Sequence, residues 1–171
     1  MSTVARPSPS IIPPLENGDH LTRAEFERRY EAMPGVRAEL IEGVVYISSP
    51  VRHPEHAAPQ VRLCMWLGLY LSGTPLVDAG DNGSVRLDLD NIPQPDAYLF
   101  IQPQAGGRVR LSSKGYVEGS PELVLEVASS TVSIDLGTKL NVYRRSNVCE
   151  YLVWRVRDRA FDWFILRDGG F

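Results

Sequence analysis

Four apolar residues surround a single carboxylate in the run Leu123-Val124-Leu125-Glu126-Val127. A short apolar run of this kind marks a strand buried on both faces. Upstream, Thr22 and Glu25 form a capping-box pair that predicts a helix over 23–33, ended by Pro34-Gly35, with Phe26 and Tyr30 on its buried side. Residues 37–48 alternate as a β-hairpin turning at Glu42-Gly43. A second helix is predicted over 55–71, with Pro59 in its first turn. Ala57, Val61, Cys64, Gly68 and Leu71 follow helical spacing there, and Leu63, Trp66, Leu67 and Leu69 widen the stripe, so this helix is expected to be largely buried against a sheet. Strands follow at 75–79 and 84–89, around a turn at Gly80-Asp81-Asn82-Gly83, and a third opens with Pro95-Asp96 and runs to Ile101. Residues 102–119 are polar and glycine-rich and predict a surface excursion. After the 123–127 strand, a helix over 134–145 buries Leu136, Leu140 and Tyr143, and a final hairpin pairs 150–156 with 160–166. The element order αββαβββ, then βαββ, predicts an α/β (α+β) fold with a central mixed sheet flanked by helices.

Composition changes this picture little. At 171 residues the chain is long enough for one domain with a sizeable core. Residues 1–20 are rich in Ser and Pro and read as a flexible tail, with Ile11, Ile12 and Leu15 docking locally; residues 21–171 read as a single domain. A net charge of −3 argues against broad electrostatic binding of nucleic acid and leaves room for a local basic patch. Cys64 and Cys149 form no disulfide framework, which predicts reduced thiols and a cytoplasmic protein. No Cys/His cluster has zinc spacing, no signal-peptide pattern opens the chain, and no apolar stretch has the length of a membrane span.

The chemistry gathers on acidic residues. Glu126 is costly inside a buried strand unless a metal, a cation or a raised pKa compensates it. If the strands carrying Asp96 and Glu126 are neighbours, two hard oxygen ligands converge, which suits Mg²⁺ or Mn²⁺. Lys139, one turn beyond Asp135 and one before Tyr143 on the same helix side, has a stem long enough to reach back to the strand end. Each residue also has an ordinary reading. Asp96 suits a strand-entry turn, Lys139 can pair with Asp135 on a solvated face, Glu39 can be an exposed strand carboxylate, and His56 can cap its helix rather than point into a site.

The order Asp96, Glu126, Lys139 resembles the PD-(D/E)XK nuclease superfamily. More closely, the chain resembles the Uma-two-type putative restriction endonucleases, a bacterial family formerly a domain of unknown function. The likeness covers roughly residues 21–164. It rests on Leu-Thr-Arg-Ala-Glu-Phe, Ala-Glu-Leu-Ile-Glu-Gly-Val-Val-Tyr, Ser-Pro followed by His56, Pro95-Asp96, Leu-Val-Leu-Glu-Val-Ala-Ser-Ser-Thr, then Asp135, Lys139, Tyr143 and Val-Cys-Glu-Tyr-Leu-Val-Trp. The resemblance implies a restriction-endonuclease-like core and a Mg²⁺- or Mn²⁺-dependent phosphodiester cleavage site. Asp96 and Glu126 would hold the metal, Lys139 would be the catalytic cation, Glu39 an auxiliary acid and Tyr143 a site-lining residue. The chain departs from the superfamily at Ala128, where a lysine is the rule; the resemblance puts that lysine on the following helix, at Lys139. Family members usually continue with another apolar segment, so the resemblance implies a chain that is short or truncated at its C-terminus.

The function expected is therefore a metal-dependent endonuclease acting on nucleic acid, most directly DNA, as a homodimer whose two-fold symmetry matches a duplex. The alternatives are a non-catalytic nucleic-acid-binding or dimerisation module on a nuclease fold, and a structural partner in a larger complex.

Overall fold

The computed structural model describes residues 12–171. In chain order the elements are α1 (Arg23–Glu31), β1 (Ala38–Ile41), β2 (Val44–Ile47), a π-helical turn (His53–Ala57), α2 (Ala58–Gly73), β3 (Val77–Gly80), β4 (Val85–Arg86) and β5 (Ala97–Ile101). There follow a 3₁₀ turn (Pro103–Ala105), β6 (Arg110–Leu111), β7 (Val117–Glu118) and β8 (Leu123–Ala128). The chain then forms a helical turn α3 (Val132–Ile134), a second π-helical turn (Asp135–Lys139), α4 (Leu140–Arg145), β9 (Glu150–Arg155) and β10 (Ala160–Ile165).

The central sheet has the order β10-β9-β8-β5-β3. It is mixed: β8 and β9 run parallel, and the other pairs are antiparallel. Strand β8 lies in its middle and is buried along nearly its whole length, as its apolar run dictates. On one face, α2 lays Leu63 and Leu67 over Leu99, Leu125 and Leu152. On the other, Tyr143 of α4 packs with Val124, Tyr151 and Val153. The small sheet β4-β7-β6 closes that side with Val85 and Val117. A third cluster joins α1 to the β1–β2 hairpin through Phe26, Leu40 and Val45, with Leu15 buried among them. The hairpin turns at Glu42 and Gly43, both at positive φ, as a tight two-residue hairpin connection requires.

Of the expected tail, residues 1–11, with Ile11, lie outside the described residues. Leu15 docks, and the backbone of Gly18 and His20 joins the hairpin at Val45 and Val44.

Three expectations are corrected. The α2 stripe is rotated: Pro59, Leu63 and Leu67 are its buried residues, while Val61 and Gly68 face outward. The helix meets the sheet through Leu63 and Leu67 with Cys64 half-buried beside them, while Val61, Met65, Leu69 and Tyr70 are exposed. Second, the two strands around Gly80–Gly83 do not pair with each other. The amides of Asn82 and Val85 are taken by the carbonyls of Pro95 and Pro93, so β3 joins the central sheet and β4 the small one. Third, the 102–119 excursion contains β6 and β7, whose short pairing shields Val109 and Val117 from water.

At the start of α1, the Thr22 hydroxyl accepts the Glu25 amide, but the Glu25 carboxylate turns to Arg28 and Arg29 at 2.7 Å instead of back to the cap. These two guanidinium groups hold the Glu25 carboxyl at about 2, against an ordinary 4.5. Its folded pKa is depressed, so its contribution to stability is complete above about 4.5 and is lost as pH falls toward 2. Glu25→Gln is expected to flatten the acid limb of the unfolding free energy in that window and leave its slope at neutral pH unchanged. Denaturant unfolding across pH measures both.

Candidate active site

The carboxylates converge because their strands are neighbours. Strand β5 pairs with β8 so that Ala97 lies opposite Leu125, which sets Asp96 beside Glu126 and Val127 at one end of the sheet. The Val127 amide donates to Asp96 Oδ2 at 2.7 Å, and the Gln60 side chain donates to the Asp96 carbonyl. Asp96 Oδ1 lies 2.9 Å from His56 Nε2. The other ring nitrogen, Nδ1, lies 3.2 Å from the Val127 carbonyl. Both nitrogens thus face acceptors, an arrangement that a doubly protonated ring satisfies. The Asp96 hydrogen bond raises the His56 pKa, against the pull of burial.

Glu126 is buried, and its Oε1 accepts two hydrogen bonds at 3.0 Å, one from Lys139 Nζ and one from the Tyr143 hydroxyl. No hydrogen bond reaches its Oε2 from the described residues. Burial pushes its carboxyl well above the ordinary 4.5; Lys139 pulls it down, while Asp135, Asp96 and Glu39 push it further up.

Lys139 is the hub of the cluster. Its Nζ lies 2.9 Å from Glu39 Oε1, 3.0 Å from Glu126 Oε1 and 3.8 Å from Asp135 Oδ1. Burial works against the charge of Lys139, but Glu126, Glu39 and Asp135 outweigh it and hold the ammonium protonated, well above the ordinary 10.5. Glu39 reaches this point from β1, and its other oxygen accepts the Gln94 amide at 3.2 Å. Asp135 is fixed by the Thr131 hydroxyl at 2.6 Å, and burial raises its pKa too. The Tyr151 hydroxyl donates to the Asp135 carbonyl beneath. Both π-helical turns serve this site: one carries His56, the other Asp135 and Lys139. A locally widened helix re-aims side chains, which is why such turns gather at functional sites.

All six residues expected from the sequence line or support one place. Glu39, His56, Asp96, Glu126 and Lys139 line a cavity of about 1070 Å³, and Tyr143 stands behind Glu126. The ordinary readings of Glu39 as an exposed strand carboxylate and of Lys139 on a solvated face do not hold, since both side chains are largely buried. Asp135, named from the sequence as the helical partner of Lys139 and given no site role there, joins the cluster. Arg37, Arg52 and Arg157 also line the cavity and carry no local motif that marks them.

Among the described residues, no group of three or more His, Cys, Asp or Glu side chains is arranged as a preformed metal centre. The donors still fit a hard divalent cation. They are all oxygens, and four carboxyl groups (Glu39, Asp96, Glu126, Asp135) outnumber the two basic side chains among them, Lys139 and His56. The Ser129 hydroxyl at the end of β8 is buried on the cavity wall and has no hydrogen-bond partner among the described residues. A bound ligand or water would supply one.

Comparison with known proteins bears on the fold and the family. A crystal structure of a putative nuclease belonging to DUF820 from Anabaena variabilis ATCC 29413 superposes with a TM-score of 0.65 at 14% identity, covering 82% of this chain and 79% of that one. At that identity the likeness concerns the fold. No curated protein gives a significant match. No helix among the described residues is long and apolar enough to cross a membrane. The family model described as putative restriction endonuclease matches residues 23–171, and the chain belongs to that family, Uma2.

Proposed function

We propose that this protein is a Mg²⁺- or Mn²⁺-dependent endonuclease that hydrolyses phosphodiester bonds in DNA. The observation that carries the reading is the meeting of Asp96 and Glu126 on adjacent strands, with Lys139 hydrogen-bonded to Glu126. Asp96 and Glu126 would hold the ion, which supplies a Lewis acid that polarises the phosphate and acidifies water.

The chain's own residues do the rest. Lys139, kept protonated by its carboxylates, offers a cation to the charge that grows on the phosphate oxygens. Tyr143 and Lys139 together fix Oε1 of Glu126, leaving Oε2 for ligand. Glu39 and Asp135 fix Lys139 from two sides and so set its position before substrate arrives. His56 occupies Asp96 Oδ1 and must give up that contact when Asp96 takes a ligand there. Arg37, Arg52 and Arg157 on the cavity wall supply guanidinium groups for neighbouring phosphates. In the reaction a water loses one proton as its oxygen forms a bond to phosphorus, the bond to the leaving oxygen breaks, and that oxygen takes up a proton, so the net transfer is of one water proton to the leaving hydroxyl.

The enzyme would act as a homodimer in the cytoplasm, where Cys64 and Cys149, both free thiols, stay reduced. Purified protein is expected to cut duplex DNA with Mg²⁺ or Mn²⁺ and to stop when EDTA is added or when Asp96 is changed to Asn. Binding of DNA that survives Asp96→Asn, with no cleavage by wild type under either metal, would contradict the reading and favour a binding module on a nuclease fold.

A further inference from the structure

The β1–β2 hairpin has two unlike faces. Ala38, Leu40 and Val45 are buried in the cluster under α1. The other face carries Arg37, Glu39, Tyr46 and Ser48, and all four line the active-site cavity. The register sets this. Glu39 lies directly opposite Tyr46, so the two side chains stand side by side on one face. Arg37, two residues before Glu39, shares that face, and its carbonyl accepts the Ser48 amide at 3.0 Å.

Glu39 is held by Lys139 at 2.9 Å. Tyr46 has no such partner among the described residues. Its ring is half-buried and belongs to none of the three apolar clusters. Its hydroxyl takes no part in the hydrogen bonds around Glu39 and Lys139. Tyrosine is favoured in strands in general. What sets Tyr46 apart is that its face of the hairpin looks onto buried charge, since Asp96, Glu126, Asp135 and Lys139 all lie below the surface.

We propose that Tyr46 is a substrate-binding residue whose ring stacks on the nucleobase beside the phosphate being cut, so that the enzyme acts on a nucleotide that is unpaired or swung out of the helix. The inference rests on the nuclease reading given above and names the form of DNA that site takes. A phosphate must descend to the sunken carboxylates, and the nucleotide that carries it then lies along the hairpin face. Paired bases show only their edges in the grooves. A ring meets the face of a base once that base has left the stack. Stacking of this kind accepts any base, so Tyr46 selects an unpaired nucleotide and not a sequence. Arg37, exposed on the same face and 3.0 Å from Asn82 Oδ1, is placed for the phosphate of the neighbouring nucleotide.

Fluorescence anisotropy with the full chain tests this, with Ca²⁺ in place of Mg²⁺. Three labelled duplexes of one sequence are compared: fully paired, with one central mismatch, and with an abasic nucleotide at the mismatch. Wild type and Tyr46→Phe are expected to bind the mismatched duplex about tenfold more tightly than the paired one. Tyr46→Val keeps a residue suited to the strand but removes the ring. It is expected to lose the preference with its circular dichroism spectrum unchanged, and to bind the abasic duplex as wild type does.

A wild type that binds paired and mismatched duplexes alike overturns the proposal. So does a preference that survives Tyr46→Val, or a weakening by Tyr46→Val that is as large on the abasic duplex. Those results leave the nuclease reading in place. A wild type with the expected ring-dependent preference that cuts no DNA under Mg²⁺ or Mn²⁺ upholds the stacking role and contradicts the nuclease reading. A wild type that binds none of the three duplexes overturns both.

Discussion

Replacing Lys139 with methionine is expected to cost about 3–5 kcal/mol of folding stability and to lower cleavage by at least about 100-fold. The stability loss follows from the burial of the cluster. Lys139 is the cation within 4 Å of Glu39, Glu126 and Asp135, at 2.9, 3.0 and 3.8 Å. Methionine fills much of the same space but leaves these carboxylates facing one another. Burial already pushes the Glu126 and Asp135 carboxyls upward, and removing the ammonium removes the main influence holding them down. The variant should therefore hold protons on this cluster that its unfolded chain releases.

The sign of the pH dependence follows. A carboxyl whose folded pKa lies above its unfolded value favours the folded state at low pH and loses that contribution as pH rises. The stability gap between wild type and Lys139→Met is therefore expected to be widest at neutral and alkaline pH and to narrow as pH falls through the raised carboxyl values. Denaturant unfolding at several pH values measures it. A gap of less than about 1 kcal/mol at neutral pH would mean that water reaches the cluster and screens it.

The second large effect separates chemistry from folding. Glu126→Gln keeps an oxygen in place to accept from Lys139 and Tyr143, while Lys139 keeps Glu39 and Asp135 as partners. The change removes a buried negative charge that its surroundings disfavour, so stability is expected to move by no more than about 1–2 kcal/mol. Cleavage is expected to fall by on the order of 1000-fold, because the charged oxygen that would hold the metal is gone. A loss of activity without a loss of fold would distinguish this residue from Lys139, which on this reading serves both. Equal losses of stability in the two variants would assign Glu126 a structural role.

Much of this site was legible along the chain because its parts are local anomalies. Glu126 stands out as a charge in a strand that is otherwise apolar, and the fold confirms it by burying β8 in the middle of the sheet. The spacing of Asp135, Lys139 and Tyr143 placed them on one helix side, and they meet there even though a π-helical turn interrupts the helix. The sequence does not specify that interruption: Gly137 weakens a helix wherever it sits in one and does not say that a wider turn will follow. The convergence of Glu39 was visible only through family resemblance, because nothing in β1 says which strand or helix it will face. The pairing of His56 with Asp96 depends on how the start of α2 lies across the sheet end, a tertiary fact. The same holds for α2 itself. Its residues are apolar almost all round, and periodicity cannot choose which stripe is covered when every stripe is apolar. The stripe with Leu63 and Leu67 meets the sheet, while Met65 and Leu69 stay in water.

Calorimetric titration of Mn²⁺ into wild type and Glu126→Gln, each with a short DNA duplex present, tests the central claim most directly. Wild type is expected to bind the ion, and the variant to bind it at least tenfold more weakly while keeping its fold. Equal binding by the two proteins, or none by wild type with duplex present, would contradict the assignment of Asp96 and Glu126 as the metal-holding pair.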